Sequence, residues 1–388
     1  MIDPASTRIL VVGAGIGGLT SAIALNRAGF SAVDVVERAQ TLREVGAALT
    51  LWSNALKALA FLGLDGAVRA AGSEVEIGRL LSPSGRVLVE TRVGDVGRAL
   101  GAPSVCLHRA DLQRILAAAL GPVPLRLGEE CVRVRDDGVR PVTQFASGQE
   151  IPADVIVGAD GLRSAVRAEI LGDAPPRYSG YTCWRAVAAA PLDALPAGHA
   201  FETWGRGARF GAIRIDAARA YWFASENAPP GGRDAACRPR LLDRFGRWHA
   251  PIAELVEATP EDAIQRLDIL DRPPVRRTGR GRVTLLGDAA HPSTPNLGQG
   301  ACLAIEDAVV LASRLRAESS VEAALREYES RRRPRTAAIV RRSRRLGAIG
   351  QIESPVLRGL RDAAMRLAPR GLMLRAFAVN LAFACELE

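Results

Sequence analysis

The sequence predicts an α/β fold: a parallel-sheet domain, an antiparallel sheet inserted into it, and C-terminal helices. Three observations predict this. A strand, a glycine turn, a helix and a second strand follow one another between Arg8 and Glu37. Two later apolar runs, around residues 155–157 and 283–286, each end in an Asp-bearing turn ahead of a helical pattern. Between Tyr178 and Asp271 the pattern changes to alternation, the mark of an antiparallel sheet with one wet face.

Residues 8–12 read as the first strand. Gly13, Gly15, Gly17 and Gly18 follow at once, and the helical spacing of Ile16, Leu19, Ile23 and Leu25 runs to a C-cap at Gly29. Residues 33–36 form a second strand ending at Glu37. This is a dinucleotide fingerprint in its βαβ setting: Gly13 for the tight turn, Gly15 for close approach of a pyrophosphate, Gly18 for helix–strand packing, Glu37 for ribose hydroxyls. An acid there disfavours a 2′-phosphate. Arg38 opens a polar connection reaching residue 46. A strand at 47–52, a helix at 53–62 N-capped by Ser53, and a hairpin over 79–90 follow. Arg109 begins a helix that runs to Leu120, and residues 131–134 read as a strand.

Residues 153–164 form a buried strand ending in Ala159, Asp160 and Gly161, with Arg163 and Ser164 beyond. Alternating runs at 181–188, 208–215 and 220–225 precede an amphipathic helix over 241–257. The stretch 282–307 organises the chain. Its strand breaks at Gly287 and Asp288, and Pro292 and Pro295 hold the next segment extended. Gly298 and Gly300 let the backbone approach a ligand, and a helix begins near Ala301. That helix start offers free N–H groups and a positive dipole end to an anion. A helix pair is expected over 319–340, its arginines (Arg331, Arg332, Arg333, Arg335, then Arg341, Arg342, Arg344, Arg345) forming a solvated face. Residues 372–385 are apolar with helical spacing. They are too short to span a bilayer, and core or dimer packing is favoured over a membrane anchor.

The net charge of +9 and pI near 9.9 invite a nucleic-acid reading. Lys57 is the only lysine, however, so Arg supplies 50 of the 51 basic residues. No lysine-rich tail, zinc-finger spacing or RNA-binding signature accompanies them. Six scattered cysteines without a C-x-x-C pair point away from a disulfide framework or metal site and toward a reducing, cytoplasmic setting. No secretory signal is expected, and Leu387-Glu388 are left open as a cloning remnant. G-x-S-x-G, H-E-x-x-H and P-loop motifs are absent.

In this order the three motifs at 13–37, 153–164 and 282–307 resemble the class A, para-hydroxybenzoate hydroxylase-like flavoprotein monooxygenases. The branch with urate hydroxylase and zeaxanthin epoxidase looks nearest, carried by Tyr178 to Arg185, Gly207 to Gly211, Tyr221 to Phe223 and Pro295 to Gly300. The resemblance implies a GR2-type, Rossmann-like FAD-binding domain (1–75, 100–175 and 273–350), a substrate-binding domain (76–99 and 176–272) and a C-terminal helical segment (351–388). It implies non-covalent FAD held by Gly13, Gly15, Gly17, Gly18, Glu37, Arg38, Arg109, Val132, Asp160, Asp288, Gly298, Gln299, Gly300 and Ala301. NADH or NADPH would visit as co-substrate, and O2 would supply one oxygen atom to an aromatic or polycyclic/heteroaromatic substrate by hydroxylation or epoxidation. Arg209, Tyr221, Asn296 and Pro295 are the expected catalytic set, with Cys183 and Trp222 in the substrate pocket. Where the urate pattern has Asp after Pro295 this chain has Asn296, which argues for a larger, more apolar substrate than urate. A flavin-dependent reductase or dehydrogenase without oxygen activation is the alternative, and a basic nucleic-acid or membrane-surface binder a remote one. The chain is expected to be a monomer or homodimer, with peripheral membrane contact through the C-terminal segment kept open.

Overall fold

The computed structural model describes residues 2–42, 47–136, 138, 140–172, 174–189, 195–234 and 236–383. The end of the 38–46 connection, Cys385, Leu387 and Glu388 lie outside them. Among the described residues a six-stranded sheet has the order Gly279–Arg280, Val283–Leu285, Val155–Gly158, Ile9–Val12, Val33–Glu37, Leu125–Leu127. All neighbours are parallel except the first pair. Its central strands are buried on both faces, which is why they read as unbroken apolar runs. The helices Ile16–Arg27 and Gly300–Ala317 pack together over one face with Leu19, Ile23, Ile305 and Val309 buried between them.

A seven-stranded sheet has the order Gln265–Asp271, Arg177–Ala188, Ala220–Asn227, Ala208–Arg214, His199–Trp204, Ile77–Leu81, Val87–Arg92. The early hairpin thus extends the later sheet, joining it by a parallel pairing between Ile77–Leu81 and His199–Trp204. Alternation sets its two faces. Trp184, Phe210, Trp222 and Ala224 turn to one side and are buried under Leu241, Phe245, Ile252 and Leu255. Cys183, Arg185, Arg209, Tyr221 and Phe223 turn to the other.

Several expectations are corrected. The 241–257 helix is two helices, Cys237–Phe245 and Ile252–Glu257, parted by Gly246 and Pro251. The pair over 319–340 is one helix, Val321–Gly350, which continues through Pro334. Ser53 is the first residue of its helix, with Trp52 at the N-cap and the Ser53 hydroxyl 3.3 Å from that of Ser104. The arginine run is a solvated face only in part: Arg331, Arg333, Arg341, Arg342 and Arg345 are exposed, but three others turn inward. Arg332 is buried and pairs with Glu306 and Asp307, Arg335 pairs with Glu306, and Arg344 pairs with Asp271. The C-terminal segment forms two helices, Pro355–Leu367 and Arg370–Leu381. Leu381 and Phe383 enter the core, whereas Leu372 and Val379 face solvent.

Candidate active site

The three sequence motifs meet at one edge of the parallel sheet. Val12 is level with Val36 and Gly158, and Gly158 with Leu285. Gly13, Glu37, Asp160 and Asp288 therefore leave the carboxyl ends of neighbouring strands, where open α/β sheets bind ligands. Gly13 has φ +106°, and a Cβ there would stand 2.5 Å from the Ala159 carbonyl oxygen. A Cβ on Gly18 would strike the Gly13 carbonyl, and one on Gly17 would lie 2.7 Å from Leu286 Cδ2. These three glycines are demanded by packing. Gly15 differs: nothing lies within 4 Å of a Cβ built on it, and it is the N-cap of helix Ile16–Arg27 without a side-chain cap. Free N–H groups at a helix start, opposite open space, form a cradle for a phosphate. Glu37 fixes the turn, accepting from Ala14 N–H at 2.8 Å and Ala39 N–H at 3.0 Å. Arg38 beside it is exposed, as is the side chain of Val132 on strand Cys131–Arg135.

Asp160 accepts from the N–H groups of Ala165 (2.8 Å) and Val166 (3.3 Å) through one carboxylate oxygen. The other oxygen is buried without a partner, and burial raises the carboxyl's pKa. An orphaned acceptor at the mouth of a nucleotide fold marks where a ligand donor belongs.

The stretch from Gly287 onward is held from behind. Arg167, buried, donates to the carbonyls of Ala289 (2.8 Å) and Ala290 (2.9 Å). Asp307, fully buried, accepts from Gly287 N–H (3.0 Å), His291 Nε2 (2.6 Å) and Arg332 Nε (2.6 Å). Glu306 accepts from Asn54 (2.6 Å), Arg332 (2.7 Å) and Arg335 (2.7 Å). Gln299 is buried; its Oε1 accepts from Asn54 at 2.9 Å and its Nε2 has no partner. Gly298 has φ +62°, and a Cβ there would press on the Trp52 indole nitrogen at 2.8 Å. Gly300 faces Asp288 Oδ1, 3.9 Å from where its Cβ would be, and half-buried Ala301 follows it in the helix. Asp288 and Arg109 are exposed to solvent yet crowded by protein, as the walls of a deep cleft are. Burial raises the Asp288 carboxyl pKa against the pull of His291 and Arg109. Burial, then neighbouring Arg185, lowers that of Arg109, with Asp288 opposing.

The second wall is the sheet face carrying Cys183, Arg185, Arg209, Tyr221 and Phe223. Arg209 and Tyr221 do share this face, but their situations differ. Arg209 is only 3% exposed and donates to Gln351 (3.1 Å), Glu202 (3.2 Å) and Asn296 (2.7 Å). It ties the sheet to the 294–298 loop and offers little surface to a substrate. Asn296 also accepts from the Tyr181 hydroxyl at 3.1 Å. Pro295 starts the 3₁₀ turn Pro295–Leu297 that presents Asn296. Tyr221 is half-buried, and burial raises its pKa well above the usual range, so it stays a hydroxyl donor. Cys183 is buried and its thiol pushed up to about 11, chiefly by burial. Trp222 is a correction: it lies on the opposite face, fully buried, donating to Thr259 at 2.9 Å, because neighbours in a strand point to opposite sides. Sequence reasoning passed over Arg185 as a site residue. It is level with Phe223, close enough to affect the titration of Arg109 and Tyr221, and its buried Nε has no partner.

The residues at the sheet edge fit FAD on three counts: the Gly15 cradle, the unpartnered Asp160 oxygen, and the Asp288–Arg109 walls. The chemistry FAD supplies when bound is hydride acceptance from NAD(P)H and activation of O2. On the sheet face Tyr221 stays a neutral hydroxyl, and Arg209 is hydrogen-bonded to Asn296.

A family model described as "FAD binding domain" matches residues 6–343. The chain is 46% identical over 360 residues to the aurachin C monooxygenase/isomerase of Stigmatella aurantiaca, covering 92% of this chain and 94% of that one. It is 37% identical over 355 residues to the chloroplastic zeaxanthin epoxidase of Solanum lycopersicum, covering 86% of this chain and 53% of that protein. The structure of Klebsiella pneumoniae HpxO complexed with FAD and uric acid matches with TM-score 0.92 at 29% identity, covering 98% of each chain. With the nucleotide cradle and both cleft walls in place, this chain belongs to the FAD-binding-domain family of flavoproteins and is an FAD-dependent monooxygenase.

Proposed function

We propose that the substrate is a polycyclic or heteroaromatic compound bearing an ionisable hydroxyl, oxygenated between the Tyr221–Phe223 sheet face and the Asp288 wall. One observation carries this reading. Arg185 brings a cation with a buried and unpartnered Nε to the sheet face beside Tyr221 and Phe223, where the other cation, Arg209, is already hydrogen-bonded. A phenolate or enolate would satisfy that donor, and an electron-rich ring suits electrophilic oxygen transfer. Gly211 favours a flat ligand, since it leaves the Phe223 ring lying across the sheet where a Cβ would strike it. The 46% identity to an aurachin C monooxygenase/isomerase supports including aurachin C among the compounds tested.

In this proposal Gly13, Gly15, Glu37, Asp160, Asp288, Gly300 and Arg109 hold FAD, while Gly17, Gly18, Gln299 and Gly298 shape the loops behind them. The flavin unit spans 1–75, 100–175 and 273–350, and the substrate unit 76–99 and 176–272. The enzyme acts in the cytoplasm; among the described residues no helix is long and apolar enough to cross a membrane. The test is a panel of phenols, hydroxyquinolines, quinolones and fused aromatics, scored for acceleration of NAD(P)H oxidation with matching O2 uptake and an oxygenated product. An Arg185→Gln variant should raise KM for the hydroxylated compounds more than for their methyl ethers. Equal losses for both would sink the assignment of Arg185.

A further inference from the structure

We infer that the two C-terminal helices form a docking surface for an anionic lipid membrane. An ordinary surface helix turns its apolar stripe inward. Pro355–Leu367 does the reverse. Val356, Leu360, Ala363, Ala364 and Leu367 recur at helical spacing along its exposed side. Arg361 faces the protein instead, 7% exposed, with its guanidinium 5.1 Å from the Trp204 ring centroid and a hydrogen bond to the Ile349 carbonyl. Arg370–Leu381 continues the pattern with Leu372, Ala376 and Val379 outward. Val356, Leu357, Leu360, Leu367, Leu372 and Val379 are 52–82% exposed, a dense apolar patch for a protein surface.

The charges on the patch select its occupant. Residues 352–383 carry five arginines (358, 361, 366, 370, 375) and two acids, Glu353 and Asp362. Arg366, Arg370 and Arg375 are exposed among the apolar side chains, whereas Asp362 is engaged by Arg361 at 2.8 Å. A second copy set against this face would bring arginines together with few acids to pair them. A leaflet with anionic headgroups accepts both components, as interfacial amphipathic helices do. The patch also adjoins the cleft. Phe377, on the inner side of Arg370–Leu381, packs edge-on against Trp52 with centroids 5.3 Å apart. It rests on the same apolar cluster as Tyr221. Resting on the substrate reading above, a lipid-dissolved aromatic would have a short apolar route under this helix to the Tyr221 face.

The FAD-loaded protein should co-float with phosphatidylcholine vesicles containing phosphatidylglycerol, bind vesicles of phosphatidylcholine alone far less, and release in high salt. Leu360→Glu with Leu367→Glu should cut vesicle binding about tenfold or more while leaving FAD content and turnover of a water-soluble substrate unchanged. Both side chains are exposed, so the fold does not depend on them. A triple Arg366→Gln, Arg370→Gln, Arg375→Gln variant should lose the preference for anionic lipid. Absence of flotation by the wild type, or flotation indifferent to these changes, would overturn the inference. So would a concentration-dependent dimer in sedimentation that the Leu360→Glu, Leu367→Glu variant abolishes. Failure of the substrate panel alone leaves the vesicle result standing and discards only the route to Tyr221.

Discussion

Arg209 and Asn296 join the two sheets' territories through a hydrogen bond of 2.7 Å, from the guanidinium Nη2 to the amide oxygen. The amide has one orientation that works. Its nitrogen donates to the Thr294 hydroxyl (2.8 Å) and the Ser343 carbonyl (2.8 Å), and its oxygen accepts from Arg209 and Tyr181. The long helix makes room for the pair with two glycines. A Cβ on Gly347 would stand 2.5 Å from the Asn296 nitrogen, and one on Gly350 would stand 2.8 Å from Arg209 Cδ. Glycine in a helix interior costs about 0.5–1 kcal/mol relative to alanine, so these positions are retained for space.

Asn296→Asp should therefore destabilise the protein. The carboxylate gains charge toward Arg209 but loses both donors and turns an oxygen on the Ser343 carbonyl. Net loss should be about 1–3 kcal/mol, read as a lower urea midpoint with unchanged m-value. A variant as stable as wild type would show that the amide donors matter little.

Glycine substitutions separate packing from cofactor binding. Gly18→Ala should misfold, because its Cβ would strike the Gly13 carbonyl. Gly15→Ala meets nothing, so the apoprotein should keep its stability within about 0.5 kcal/mol while FAD retention falls. Asp288→Ala and Glu37→Ala should each weaken FAD by about 1.5–3 kcal/mol, roughly ten- to a hundredfold in Kd. Unchanged FAD content in both Gly15→Ala and Asp288→Ala would remove the cradle from the site.

The flavin edge was legible because its residues answer to backbone demands written locally: a glycine turn, a strand end, a helix start. Gly13, Glu37, Asp160 and Asp288 could each be placed at a strand end from neighbouring residues, and the sheet then aligned them. The support behind them was not legible. Arg332 looks like any member of an arginine run, and only the packing of helix Val321–Gly350 on Gly300–Ala317 turns it toward Asp307. Trp222 was misjudged for a related reason. Alternation tells which residues share a face but not which face meets a neighbour, and here the helices cover the tryptophans. Arg185 sits inside a recognisable stretch, yet only the cross-strand register puts it beside Tyr221.

The Asp307 cluster predicts acid sensitivity. Burial alone would raise the Asp307 pKa, but His291 and Arg332 outweigh it and hold the carboxyl well below its ordinary value. A pKa depressed on folding contributes stability in full above the unfolded value of about 3.9 and loses it as pH falls below that. Asp307→Asn should cost about 3–5 kcal/mol near neutral pH, since it strands a buried Arg332. The stability difference between wild type and variant should then shrink below about pH 4. A difference constant from pH 7 to pH 3 would mean that Asp307 is not the titrating group.

Substrate should govern flavin reduction. Among the described residues the carboxyl edge of the six-stranded sheet supplies one dinucleotide fold, and NAD(P)H is predicted to share its cleft with FAD. Stopped-flow reduction of bound FAD should be slow alone and accelerate about tenfold or more with a productive aromatic, a change of about 1.4 kcal/mol in barrier. Equal rates with and without every active compound would contradict this.

Urate should be a poor substrate. A small, polar, anionic purine needs a hydrogen-bond partner at almost every edge, and a site missing partners loses heavily on buried unpaired groups. The side chains available here do not meet that need. Asn296 has both its donors and its acceptor committed to Thr294, Ser343, Arg209 and Tyr181. Arg209 is spent on Gln351, Glu202 and Asn296. Cys183 offers a buried, protonated thiol already directed at the Trp184 carbonyl, 3.4 Å away. What remains toward the cleft is Arg185, Tyr221 and Phe223: one cation, one hydroxyl and two rings. That set suits a large aromatic with a single oxyanion. Under matched conditions kcat/KM for urate should fall at least about a hundredfold below that of the best fused aromatic, the equivalent of two unmade hydrogen bonds at about 1.4 kcal/mol each. Urate turnover at a comparable rate would show that Asn296 and Arg209 rearrange on binding, and would return both to the substrate site.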